Sequence, residues 1–129
     1  MKPEIRQQIY LRYNGHCSYC GKAIEYKDMQ VDHAFPKYID KMLKLGYNFS
    51  DDVMKQKPDN IEHIDNLMPS CRRCNFYKSG CTIEYLRRQI LTIHERVSKP
   101  FISKVAIDYS IIEVKPFDGK FYFEKINNL

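Results

Sequence analysis

No apolar run in this 129-residue chain approaches the roughly 20 residues that a membrane-spanning helix needs, so a bilayer-crossing protein is not expected. No secretory leader is expected either. Met1-Lys2-Pro3-Glu4 leads into a polar amphipathic stretch rather than an apolar core segment, which points to a cytoplasmic, reducing compartment. Internal repeats, coiled-coil heptads and low-complexity tracts are absent, which argues against solenoids, rods and long disordered linkers. At 43% hydrophobic residues, the chain can build one core and is too short for two comfortable ones.

What the chain does contain is cysteine in a pattern. Cys17/Cys20 and Cys71/Cys74 each have the C-x-x-C spacing that lets two thiolates face one ion from a tight turn. One such pair says little, because redox dithiols share it. Two pairs can close a tetrahedral four-cysteine site of the ribbon or knuckle kind, which suits a structural Zn2+ and adds folding free energy directly. Buried reduced thiols or two disulfides are the alternatives, and a reducing compartment disfavours the disulfides. Cys81 is the odd fifth cysteine and reads most simply as a small buried or semi-exposed thiol, with a substitute zinc ligand as the alternative, though its spacing from Cys74 is loose for that.

The formal net charge of +5 is modest, but its placement is uneven. Between Cys71 and Pro100, Arg72, Arg73, Lys78, Arg87, Arg88, Arg96 and Lys99 face only Glu84 and Glu95, which accounts for the whole excess. A basic stretch starting at the second cysteine pair suits a polyanion such as nucleic acid. A solvated helix face would look the same.

Periodicity places the elements. Pro3 with Ile5, Ile9 and Tyr13 predicts a helix to about Tyr13, ended by Asn14-Gly15. Met29 to Ala34 reads as a strand in which Val31 and Asp32 point to opposite faces. Tyr38, Ile39, Met42 and Leu45 predict a helix stopping at Gly46, and 48–60 reads as loop. A second strand is expected over 66–69. Ile83, Leu86, Ile90, Ile93 and Val97 predict one long helix after Thr82, followed by a short helix near 101–112. Asp118-Gly119 has the signature of a two-residue turn, so a hairpin is expected over 112–125, with Phe121 and Phe123 as core residues.

The ordered elements Cys-x-x-Cys-Gly, Val-Asp-His, Asp-Asn-Leu and Cys-x-x-Cys-Asn-x-x-Lys, spread over about Arg12 to Gly80, resemble the HNH endonuclease family, the ββα-metal or His-Me finger nucleases. The resemblance implies an α+β fold: a zinc-stabilised ββα-metal core over about 12–80, with flanking helices and the C-terminal hairpin as an extension over 82–129 of a single domain, 1–129. It also implies a metal-dependent endonuclease that hydrolyses phosphodiester bonds in double-stranded DNA. Matched position by position, His33 is the general base, Asp32 and Asn75 bind the catalytic Mg2+ or Mn2+, and Asn66 orients the hairpin and the base. Asn75 stands where many members have His, which makes this an H-N-N variant. Lys78 then falls near the scissile phosphate, and Arg72, Arg73, Arg87 and Arg88 are the expected nucleic-acid contacts.

Elementary chemistry agrees with that assignment. Attack on a phosphodiester needs a base near neutrality, a cation on the phosphate oxygens and fixed geometry, and histidine has the ordinary pKa for the base. His63 is a rival base, and His16 abuts Cys17 as a rival ligand. The interval from His33 to Asn66 is longer than in compact members, so 38–58 reads as an insertion beside the site. A non-catalytic zinc module that binds nucleic acid through its basic helix is the competing reading. A homodimer, or a phage or restriction partner protein, is left open.

Overall fold

The structure is a computed structural model that describes residues 1–127. The last two positions of the expected extension, Asn128 and Leu129, lie outside the described residues. The architecture is α+β, as expected, with a two-stranded antiparallel sheet among short helices. The chain groups into two compact units, one comprising Met1–Ile83 with the segment from Phe121 onward, the other Glu84–Lys120.

In the first unit, α1 (Pro3–Arg12) opens with proline in its first turn, where no amide hydrogen bond is lost. It closes in a Schellman motif: the Gly15 amide donates to the Tyr10 carbonyl and the Asn14 amide to Leu11, with Asn14 at φ 53° and Gly15 at φ 75°. That reversal delivers the chain to the first cysteine turn. Ile9 of α1 packs with Met29 and Leu67 in the core, and Ile5, Ile24, Val31 and Ile64 close around them. Val31 therefore faces the core, as strand alternation predicts.

Strand β1 (Gln30–His33) pairs antiparallel with β2 (Leu67–Ser70), so that Asp32 lies opposite Met68 and His33 opposite Leu67. Between them come α2 (Lys37–Lys44), which gives way at Gly46 (φ 94°), and α3 (Asp51–Lys55). The short helix α3 corrects the expected loop over 48–60. Ser50 caps it by accepting from the Val53 amide, and Asp51 and Asp52 favour its positive end, a start signal legible in Ser-Asp-Asp. From β2 the chain passes through Cys71 into α4 (Arg72–Lys78), which packs on β1 and completes a strand-strand-helix unit.

Two further expectations are corrected in the C-terminal third. The long helix over 83–97 is broken into α5 (Ile83–Leu91) and α6 (Ile93–Ser98). Thr92 turns its hydroxyl back onto the Gln89 carbonyl, which also accepts from Arg96, so the carbonyl that would continue the helix is engaged by side chains. Helix α7 (Phe101–Asp108) follows, near its expected place.

The expected hairpin over 112–125 does not form. Asp118-Gly119 does turn, with Asp118 accepting from the Lys120 amide and Gly119 at φ 87°, but no strands flank it among the described residues. Instead Phe121 is buried edge-on against Tyr19, and the Glu124 carboxylate accepts from the Phe121 amide, half of a capping box that starts α8 (Tyr122–Asn127). Phe121 is thus core, as predicted, but in a helical context.

Candidate active site and metal centre

The four paired cysteines converge. Cys17, Cys20, Cys71 and Cys74 place their sulfurs all within 4.8 Å of one another, with Cys20 and Cys71 at 3.9 Å. Four thiolates about 2.3 Å from one tetrahedral ion stand roughly 3.8 Å apart, so the donor set can hold a metal. Local hydrogen bonds build the cage: the Cys71 sulfur caps α4 by accepting from the Cys74 amide, and the Ser18 amide donates to the Pro69 carbonyl, tying the first turn to β2. The sulfurs already compete for protons. A hydrogen bond from Cys74 holds Cys17 down at about 4 despite its burial, while Cys74 is pushed far up by the same bond and by burial. Burial also raises Cys20. A cation at the centre would relieve this crowding of negative charge.

Beside the cluster, β1 and α4 bring the expected catalytic residues to one place. Asp32, His33 and Asn75 all line an open cleft of about 340 Å³, which Lys37 and Tyr38, at the start of α2, also line. The side-chain amide of the half-buried Asn75 makes no hydrogen bond among the described residues. His33 Nε2 meets the Glu62 carboxylate at 3.1 Å, with the imidazole 13% exposed. Asn66 is buried with its side-chain amide fully engaged: its Oδ1 accepts from the Phe35 amide at 2.8 Å, while its Nδ2 donates to the carbonyls of Phe35 and Ile61. The Asn66 carbonyl also accepts from the Ala34 amide. The chain leaving His33 is therefore stapled to the start of β2.

Asp32 has unexpected company. Its carboxylate is buried, Lys78 Nζ lies 3.1 Å from Oδ2, and the Tyr19 hydroxyl donates to the same oxygen. Burial raises the Asp32 pKa, and Lys78 and Tyr19 only partly counter it. Tyr19 is itself raised well above its ordinary value by burial and by Asp32. Lys78 is placed differently from the expected phosphate contact: its side chain is 0% exposed, and it also donates to the His33 carbonyl at 3.0 Å. It works inside the site, bracing the strand end that carries His33.

The other candidates fall out as follows. Arg72 and Arg73 are exposed on α4. Arg87 and Arg88 belong to the second unit, where Arg87 pairs with Glu84 and the Gly119 carbonyl, and Arg88 lies over the Tyr85 ring. His63 accepts from the Asp65 amide and caps a turn, and His16 Nδ1 faces backbone carbonyls with its ring against Tyr122. Neither is in the expected rival role. Sequence reading missed Tyr19, Glu62 and Arg12. Arg12 donates from the end of α1 to the carbonyls of Ile64 and Leu67, holding the entry to β2. Only Tyr19 carried a signal, its place inside a Cys-x-x-Cys turn.

No family model matches the sequence, and a search of curated proteins found no match. Among solved structures, the Type II-C Cas9 enzyme from Actinomyces naeslundii is similar over 66% of this chain, at 24% identity and a TM-score of 0.45. The match spans 8% of that enzyme's length, and the functional reading rests on the chain's own geometry. No helix among the described residues is long and apolar enough to cross a membrane.

Proposed function

We propose that the chain is a metal-dependent DNA endonuclease of the HNH type, with a structural zinc on Cys17, Cys20, Cys71 and Cys74. The observation that carries this reading is the shared cleft. Asp32, His33 and Asn75 come from a strand and a helix far apart in sequence, and they meet next to the cysteine cluster. A scaffold alone has no use for that convergence. Because Asn75 directly follows Cys74, a bound zinc would hold it to within one residue of a rigid anchor.

Each residue then has a task. Asp32 and Asn75 offer hard oxygen donors that fit Mg2+ or Mn2+, which would supply charge neutralisation at the phosphate and the leaving oxygen. His33, with Nε2–H directed at Glu62, keeps its Nδ1 lone pair to take a proton from the attacking water. Asn66 holds the backbone beyond His33, and Lys78 and Tyr19 hold Asp32. Arg72 and Arg73 supply attraction for the DNA backbone.

One observation favours the second reading, a non-catalytic zinc module that binds nucleic acid. The carboxylate that should take a divalent ion already carries an ammonium at 3.1 Å. A supercoiled-plasmid assay with Mg2+ or Mn2+ on the chain and on His33→Ala separates the two. The nuclease reading expects nicking by the native chain and loss of at least about a hundredfold in the variant. Equal cleavage by both would remove His33 as base, and no cleavage by either would favour the binding module.

A further inference from the structure

Among the described residues, Phe76 is the most exposed large apolar side chain, at 87%. It sits in the middle of α4, directly after Asn75, with Arg72 and Arg73 four and three residues earlier on the same face. Neither arginine has an acidic partner among the described residues, and both are exposed. A phenylalanine held open to water between two unpaired guanidinium groups is out of place on a surface that only needs to be soluble.

The surroundings give it a purpose. A groove of about 880 Å³ runs beside α4, lined by Lys22, Lys27, Arg72, Arg73 and Phe76, with Glu25 and Asp28 as its acids. Lys27 lies 3.7 Å from Glu25, which leaves Lys22 and the two arginines in excess over Asp28. This groove shares no lining residue with the Asp32 cleft; α4 gives Asn75 to one and Phe76 to the other. Backbone-tracking cations with an exposed aromatic among them are the components of a single-strand site, where phosphates meet the charges and a base stacks on the ring. In a duplex the faces of each base are already covered by its neighbours.

We infer that this groove binds single-stranded DNA, with Arg72 and Arg73 on the phosphates and Phe76 stacked on a base. The inference rests on the nucleic-acid half of the proposed function and not on cleavage.

The test is fluorescence anisotropy with the full chain, a labelled strand of about 12 nucleotides and its duplex, without added Mg2+ or Mn2+, over a range of salt. The strand should bind more tightly than the duplex. Phe76→Ala should weaken strand binding about tenfold with the salt slope unchanged, whereas Phe76→Tyr stays near the native chain. Arg72→Ala and Arg73→Ala should each flatten the salt slope by about 0.7. Zinc content read beside each titration checks that the variants remain folded. Native affinity in Phe76→Ala or Phe76→Leu, or tighter binding of the duplex, would overturn the inference. A failure to nick plasmid would count against the nuclease and leave this binding result standing.

Discussion

Replacing Lys78 by methionine keeps most of the volume of a side chain that is 0% exposed and deletes its charge, leaving the Asp32 carboxylate, itself 7% exposed, with Tyr19 alone. At an effective dielectric constant near 20, opposite charges 3.1 Å apart attract by about 5 kcal/mol. Asp32 can escape part of that loss by taking up a proton. For an ordinary carboxylate that escape costs about 1.4 kcal/mol per pH unit above roughly 3.9, so about 5.6 kcal/mol caps the penalty at pH 8. Burial already raises Asp32 above that reference, so its cap is lower. The expected loss for Lys78→Met is therefore about 3–5 kcal/mol, in line with other broken buried pairs.

The sign of the pH dependence follows from the same balance. Burial raises the Asp32 pKa while Lys78 lowers it, so removing Lys78 lifts it further. Below the native folded pKa, Asp32 is protonated with or without Lys78, and the variant loses little. As pH rises through the interval between the native and the variant pKa, the penalty grows, and above the variant pKa it is level. Urea unfolding with zinc present should show the Lys78→Met midpoint about 2 M below that of the native chain at pH 8, and a smaller gap at pH 5. Asp32→Asn combined with Lys78→Met should recover much of the loss, since neither charge is then left alone. A single variant within about 1 kcal/mol of native at pH 8, or a double variant no better than the single, would refute the buried-pair reasoning.

Metal analysis of purified protein should find about one tightly held zinc per chain, and chelation or Cys74→Ser should lower the unfolding midpoint sharply; metal-free protein of unchanged stability would refute the clamp. Asn66→Ala strands the buried Phe35 amide and the carbonyls of Phe35 and Ile61, so a loss of about 2–4 kcal/mol is expected by thermal unfolding, together with reduced nicking. Gly21 has φ 82°, and an added Cβ would come within 2.9 Å of the Tyr122 ring; Gly21→Ala should cost about 1–3 kcal/mol, and a neutral result would move α8 away from the first cysteine turn. Ser50→Ala removes the cap of α3 and should cost about 1 kcal/mol, or nothing if that helix is absent in solution.

The residues that sequence located best are those whose chemistry acts through local spacing. Two C-x-x-C turns must present their sulfurs together or not at all, and strand alternation alone puts Val31 and Asp32 on opposite faces. Where reading failed, a tertiary partner decided the outcome. Asp118-Gly119 carries a sound turn signal, yet a hairpin needs two strands free to pair, and Phe121 is instead buried against Tyr19, a residue about a hundred positions earlier. Thr92 broke a helix whose apolar spacing ran straight through it, because periodicity counts faces and is blind to a hydroxyl that takes the Gln89 carbonyl.

Lys78 is the most instructive case. Its motif position beside Asn75 was legible, but a lysine is so rarely buried that sequence assigns it to the solvent and hence to a phosphate. The structure turns it inward onto Asp32 and the His33 carbonyl. Its charge then has a different use under the proposed function. It favours the ionised form of a buried carboxylate and braces the strand end, which would preorganise the site before metal and substrate arrive. The same ammonium would compete with a divalent ion for Asp32, so under the proposed function the free protein would hold such an ion weakly until the phosphate of bound DNA added its own oxygen ligands.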